Sequence, residues 1–154
     1  MSRLEAWLHH LANVLVGGTG IAYAFFLYCV RSEDPYAVVH HPLQPLVQHW
    51  HVLLAPALVF STGALWKRHA LERWRSGAAP RRRSGLLLLF SFAPMAISGY
   101  AIQVAVDEAW RQAWVLAHGT ASALWVAAYL VHQWARRLKA PLPAGSADPR
   151  PRAG

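Results

Sequence analysis

The sequence has little charge for its length. It contains 15 Lys or Arg and 7 Asp or Glu in 154 residues. None of these charges falls within four long stretches, which are Ala6–Val30, Pro35–Trp66, Ser84–Val106 and Gln112–Ala135. Each stretch is long enough for a helix that crosses a hydrocarbon core, which takes roughly 20 apolar residues. Despite the net charge of +8, this pattern argues against a soluble enzyme or a nucleic-acid-binding domain. It predicts a small membrane protein.

Cysteine is nearly absent as well. The single cysteine, Cys29, excludes an intramolecular disulfide. The motif CxxCH does not occur, which excludes haem attached covalently through cysteine. The first apolar stretch is too long for the core of a signal peptide and lacks a clean cleavage site, so we expect it to be retained as a helix.

The apolar stretches predict an all-α fold, an integral membrane four-helix bundle. Helices are the expected form because a single chain segment in lipid must satisfy its own backbone hydrogen bonds. The predicted helices are Trp7–Val30, Leu46–Trp66, Gly85–Val106 and Trp110–Trp134. Residues 1–140 are expected to form one transmembrane domain. Residues 141–154 are rich in Pro and Gly, which predicts a disordered cytoplasmic tail.

The basic residues predict the orientation of the helices. The N-terminus, the linker between helices 2 and 3 and the C-terminal tail together carry 13 of the 15 Lys and Arg residues. The other side has only Arg31 and Arg111. The positive-inside rule therefore places both termini in the cytoplasm, with helices 1 and 3 running outward.

Nine histidines are unusual in so apolar a chain, and six of them fall into two groups by predicted depth. The group near the cytoplasmic side is His9, His10 and His132, and the group near the outer side is His49, His51 and His118. His118 and His132 are 14 residues apart on helix 4, which is about 21 Å along the axis. They face nearly the same way, since 14 steps of about 100° leave a difference of about 40°. Helix 3 contributes no histidine.

Two positions hold neighbouring histidines, and we prefer one of each. On helix 1, His10 shares a face with Asn13, Gly17 and Gly20. The side chains of this face are small enough to leave room for a flat cofactor. His9 is the alternate on that helix.

On helix 2, His51 lies deeper than His49 and has Ala55 one turn further on. His49 is the alternate there. The two are about 200° apart around the helix, so only one of them can face the bundle.

A single intramembrane histidine is most often a hydrogen-bonded packing residue. Four at matched depths on three helices instead indicate a shared partner, and haem iron with two axial histidines is such a partner. The alternative is a non-redox metal-binding or scaffold bundle. In that reading copper or zinc would bind His40, His41, His49 and His51. This alternative leaves His118 and His132 unexplained.

The arrangement resembles the bacterial four-helix di-haem cytochrome b superfamily, which includes cytochrome b561 and the cytochrome b subunits of nickel-iron hydrogenases. The resemblance covers Trp7–Trp134. Its motifs are Leu8–Leu11 (LHHL), Gln48–Val52 (QHWHV) and the pair His118 and His132.

The resemblance implies two haem b groups, with the four histidines as iron ligands. His10 (or His9) would pair with His132 on the cytoplasmic side, and His51 (or His49) with His118 on the outer side. It further implies electron transfer between a membrane quinone and a redox partner protein, in the inner membrane of a bacterium. The chain would be an electron-transfer subunit or a small quinone-linked oxidoreductase. Membrane lipid is an expected partner and nucleic acid is not.

Overall fold

The computed structural model describes residues 2–34, 36–66, 71–75 and 82–137. These residues form helices and connecting loops, with no strand among them. The helices are α1 (Arg3–Tyr28), α2 (Gln44–Leu65), α3 (Glu72–Arg75), α4 (Arg82–Val104) and α5 (Glu108–Arg137). The four long helices confirm the all-α prediction. The short α3 lies in the linker between the second and third predicted helices, and the predicted tail lies outside the described residues.

All four long helices begin earlier than predicted, and polar side chains cap two of them. At the start of α1, the Glu5 backbone N–H donates to Ser2 Oγ at 3.1 Å. The Ser2 backbone N–H donates in return to Glu5 Oε2 at 2.8 Å, which completes a capping box. At the start of α5, the Trp110 N–H donates to Asp107 Oδ1 at 2.9 Å. These caps extend α1 to Arg3 and α5 to Glu108.

Three of the described helices are long and apolar enough to cross a membrane. They are Arg3–Tyr28, Arg83–Val104 and Glu108–Trp134. These dimensions support the predicted membrane location. The helix α2 falls short of the same mean hydropathy because its N-terminal half carries Gln44, Gln48, His49 and His51. The residues that make α2 interesting for function are those that lower its hydropathy.

The chain divides into two compact units. Unit 1 is Met1–Ala79 and unit 2 is Pro80–Gly154. In unit 1, α1 packs against α2, and in unit 2, α4 packs against α5. The single four-helix domain over residues 1–140 stays a prediction.

The core of unit 2 repeats every seven residues. Its buried residues are Ser91, Met95 and Ser98 on α4 and Ala121, Trp125 and Ala128 on α5. Steps of four and three keep each set on one helix face, as in a coiled-coil seam. The buried hydroxyls are satisfied within their own helix, since Ser91 Oγ donates to Leu87 O at 2.7 Å. In unit 1 the buried apolar residues are Ala12 and Val16 on α1 and Leu58 on α2.

Candidate histidine sites

In unit 1, the imidazole of His51 lies directly on the backbone of α1. Its Nδ1–H donates to the carbonyl oxygen of Val16 at 3.0 Å, and Thr19 Oγ1 lies 3.3 Å from the same nitrogen. A carbonyl oxygen can only accept, so the proton of the neutral ring is on Nδ1. The lone pair is therefore on Nε2, and this is the form in which an imidazole binds a metal.

The close approach of His51 depends on Gly20. A Cβ atom at that position would lie 2.9 Å from Cε1 and 3.2 Å from Nδ1 of His51. The sequence pattern treated Gly20 as part of an open face for a flat cofactor. The structure instead fills that space with the His51 ring, while a Cβ at Gly17 would meet nothing within 4 Å.

In unit 2, His118 is held in the same way by α4. Its Nδ1–H donates to the carbonyl oxygen of Met95 at 2.9 Å, and Ser98 Oγ lies 3.5 Å away. A Cβ atom at Gly99 would lie 3.0 Å from Cε1 and 3.2 Å from Nδ1 of His118. The carbonyl, hydroxyl and glycine thus stand at positions i, i+3 and i+4 of α4, as Val16, Thr19 and Gly20 do on α1.

The hydroxyl groups at these two places also match. Thr19 Oγ1 donates to Leu15 O at 2.7 Å and approaches Val16 O at 3.1 Å. Ser98 Oγ donates to Pro94 O at 2.5 Å and approaches Met95 O at 3.1 Å. Each hydroxyl proton is used within its own helix, so the oxygen faces the imidazole as an acceptor.

His132 also contacts a serine that is followed by glycine. Ser84 Oγ lies 3.0 Å from His132 Nδ1, and a Cβ atom at Gly85 would lie 3.8 Å from its Cε1, which is an ordinary contact. We call Thr19–Gly20, Ser98–Gly99 and Ser84–Gly85 the hydroxyl–glycine pairs. Each one lies against a histidine of the neighbouring helix.

On α1, His9 makes the corresponding contact with α2. Its Nδ1 lies 3.1 Å from Ser61 Oγ, whose own proton is donated to Leu58 O at 3.1 Å. Asn13 Nδ2 donates to the carbonyl oxygen of His9 at 2.8 Å, which identifies it as the amide nitrogen. The same nitrogen lies 3.1 Å from His9 Nε2 and donates to it. The lone pair of His9 is therefore on Nε2 as well.

These contacts show that both helix pairs are antiparallel. In unit 1, His9 of α1 faces Ser61 of α2, and Thr19 of α1 faces His51 of α2. A step of ten residues toward the C-terminus of α1 therefore corresponds to a step of ten residues toward the N-terminus of α2. In unit 2 the step is fourteen residues, because His118 faces Ser98 and His132 faces Ser84. Each unit therefore presents histidines at two levels, about 15 Å apart in unit 1 and about 21 Å apart in unit 2.

His10 and His49 do not share this arrangement. His10 is half-buried, with its ring centroid 6.3 Å from that of His9 and the two planes tilted by 49°. His49 is exposed, whereas His51 on the same helix is half-buried. Each predicted iron pair takes one histidine from each unit, and that pairing stays a prediction.

Among the described residues, the histidines of the loop before α2 and of the first half of α2 do not form a metal cluster. His41 stacks on Phe26, with ring centroids 4.5 Å apart and planes 10° from parallel. Its Nδ1 accepts from the Leu43 N–H at 3.1 Å. In the part of the chain that the structure describes, no three His, Cys, Asp or Glu residues come close enough to hold a metal ion. The predicted copper or zinc alternative at His40, His41, His49 and His51 gains no support. The absence of such a three-residue group does not bear on haem iron, because haem iron takes only two protein ligands.

Two buried polar atoms have no hydrogen-bond partner among the described residues. They are His40 Nδ1 and Thr62 Oγ1. Buried polar atoms are nearly always paired. Each one is therefore a place in unit 1 where a bound polar group could be held.

The search of known proteins gives no family for this chain. No family model, no curated protein and no solved structure matches it. The site therefore rests on the residues and contacts described above.

Proposed function

We propose that the chain is a membrane b-type di-haem cytochrome that carries electrons across the membrane between a quinone and a redox partner. The observation that carries the proposal is the contact of Nδ1 of His51 and of His118 with a backbone carbonyl oxygen, at 3.0 and 2.9 Å, from which the tautomer follows. Each donates Nδ1–H to a backbone carbonyl of the neighbouring helix, which puts the lone pair of the ring on Nε2, the atom that would bind a metal. Haem b would supply one-electron chemistry there, and the resemblance to the di-haem cytochrome b superfamily suggests the same cofactor.

The donor set fits haem better than a metal ion held by protein side chains alone. Each unit offers one histidine at each of its two levels. A porphyrin iron needs only two protein ligands, so one histidine from each unit would be enough for each haem. The proposed outer site takes His51 and His118. The proposed cytoplasmic site takes His132 and a histidine of α1. Two levels about 15–21 Å apart cover much of a hydrocarbon core that is roughly 30 Å thick.

For the ligand on α1, the contacts of unit 1 favour His9. Its Nδ1 faces a hydroxyl of the neighbouring helix, as it does in His51, His118 and His132. The sequence pattern favoured His10, and that choice stays a prediction. In this structure the Asn13 amide donates a hydrogen bond to the lone pair of His9 Nε2. A metal that binds His9 through Nε2 would have to replace this hydrogen bond.

The proposal includes a four-helix bundle with both termini in the cytoplasm of a bacterium, α2 being the fourth span. The protein's own part in electron transfer is to orient the ligands and to surround them with an apolar, water-excluding shell that influences the redox potentials. Trp125, which is 5% exposed, lies on α5 midway between its two histidines and contributes to this shell.

A spectrum of the purified protein tests the proposal. Protein made in haem-replete cells should be red, show the sharp reduced-minus-oxidised band of low-spin b-type haem, and contain two haems per chain. A matched control replaces His41, which lies in the loop before α2 and stacks on Phe26, and should keep both haems. A colourless wild-type protein would refute the proposal.

The rival function is a non-redox scaffold in which these histidines only join helices. The hydrogen bonds of His9 favour it, because both ring nitrogens have protein partners. The same spectrum decides between the two, since a scaffold binds no haem. In a scaffold, removal of His9 would lower the stability of the fold without any change in colour.

A further inference from the structure

In two of the three hydroxyl–glycine pairs, Thr19–Gly20 and Ser98–Gly99, the glycine decides how close an imidazole can come to the helix backbone. In α1 and α4 the accepting carbonyl lies one turn before a glycine, on the same face. Ordinary contacts of a Cβ atom begin at about 3.4 Å, yet one at Gly20 or Gly99 would lie 2.9 or 3.0 Å from the ring. Any other residue would therefore push the imidazole outward by a few tenths of an ångström.

We propose that Gly20 and Gly99 are positioning residues for His51 and His118. They let Nδ1–H reach the carbonyl oxygens of Val16 and Met95, at 3.0 and 2.9 Å, and so fix the tautomer and the orientation of each ring. This inference rests on the proposed function insofar as the fixed Nε2 binds haem iron. The hydrogen bond at Nδ1 also makes the imidazole a stronger electron donor, which stabilises ferric iron and lowers the redox potential.

The neighbouring hydroxyl has a smaller part. Ser98 Oγ lies 3.5 Å from His118 Nδ1, whereas the carbonyl of Met95 is 2.9 Å away. In α1, Thr19 Oγ1 is likewise further from His51 Nδ1 than the Val16 carbonyl is, at 3.3 against 3.0 Å. The carbonyl belongs to the backbone and cannot be removed by substitution. The glycine is therefore the position at which the contact can be tested.

The test compares Gly→Ala variants that differ only in what the new methyl group meets. Gly20→Ala and Gly99→Ala place it against an imidazole. Gly18→Ala on α1 meets nothing within 4 Å, and Gly85→Ala on α4 meets the His132 ring only at 3.8 Å. Alanine is a better helix former than glycine, so none of the four should weaken its helix.

We expect Gly20→Ala and Gly99→Ala each to affect the proposed outer haem, whose ligands are His51 and His118. The protein should lose this haem or show a higher midpoint potential for it, while the other haem is unchanged. The controls should keep two haems and both potentials. We call Gly20→Ala and Gly99→Ala the clashing variants. If they keep two haems with unchanged midpoint potentials, as the controls should, the inference is overturned. The two variants lie in separate units, so misfolding of one leaves the other to decide.

A second measurement separates this inference from the proposed function. In haem-free protein, the ¹⁵N shifts of His51 and His118 should report the Nδ1–H tautomer, and the clashing variants should shift toward a mixture of tautomers. If the wild type binds no haem but shows this behaviour, the proposed function fails and the positioning role stands. If both wild-type rings carry the proton on Nε2, the positioning role is refuted whether or not haem binds.

Discussion

The replacement Asn13→Ala should tighten haem binding at the proposed cytoplasmic site. Asn13 is only 8% exposed, and its amide donates to His9 Nε2, the nitrogen proposed to bind iron. Haem binding at His9 must first break this hydrogen bond. The variant has no such bond to lose, so its haem-free form is the less stable starting point.

The expected size follows from the hydrogen bond that is removed. A typical intramolecular hydrogen bond contributes about 0.5–1.5 kcal/mol net. At about 1.4 kcal/mol per factor of ten, the affinity should rise roughly 2-fold to 12-fold. The bond from Asn13 Nδ2 to the His9 carbonyl, at 2.8 Å, is also lost, but it is not in competition with iron.

The assay is a haem titration of haem-free protein in detergent, followed by the Soret absorbance. Ser61→Ala is the matched comparison, because it removes the partner of the other ring nitrogen, at 3.1 Å from His9 Nδ1. That variant should bind haem more weakly, since the ring loses the contact that holds its tautomer. Opposite signs for the two variants support His9 as the ligand. Weaker binding in Asn13→Ala, or equal binding in all three proteins, would refute the reasoning.

Three further predictions use single substitutions and simple readouts. His9→Ala should leave one haem per chain and His10→Ala should leave two, measured as the ratio of haem to protein; the reverse result would return the ligand to His10. His118→Ala should remove the proposed outer haem and spare the other proposed haem, because the two histidines of α5 are about 21 Å apart along the helix; retention of both haems would exclude His118 as a ligand. Cys29 is exposed just after the end of α1, and the proposed orientation places this end outside, so a membrane-impermeant maleimide should label Cys29 from outside the cell. Leu4→Cys in a Cys29→Ser background should be labelled only after the membrane is broken, and the opposite pattern would reverse the proposed orientation.

The long helices could be predicted from the sequence because charge and hydropathy vary on the scale of a whole membrane span. The predicted bounds differ from those of the structure by a few residues, most at the start of α1, where Ser2 caps the helix; Asp107 likewise caps the start of α5. Such caps depend on two or three atoms and have no effect on a hydropathy average. The short α3 is likewise too short to produce an apolar run.

The choice between His9 and His10 could not be made from one helix alone. His9 is four residues before Asn13 and His10 is three, so both are close to its face. Only the position of α2 distinguishes them, and it places Ser61 beside His9.

The hydroxyl–glycine pairs were visible in the sequence but had no assigned role. Their partners are 20 to 48 residues away in the chain. The regular step between Ser84 and Ser98, equal to that between His118 and His132, was a signal that could have identified the pairs on α4.

The seven-residue repeat of unit 2 restricts how the length of this hairpin can change. Deleting one residue between the two histidines of α5 would turn the second by about 100° and shift it by about 1.5 Å. A matching deletion in α4 would bring Ser84 and His132 back to the same level along the helix axes. It would leave the two side chains turned away from each other. Removing seven residues from each helix, about 10.5 Å, turns the faces by only about 20° and keeps His132 opposite Ser84. The distance between the two levels can therefore be adjusted to a thinner or thicker bilayer only in steps of two helical turns, taken in both helices together.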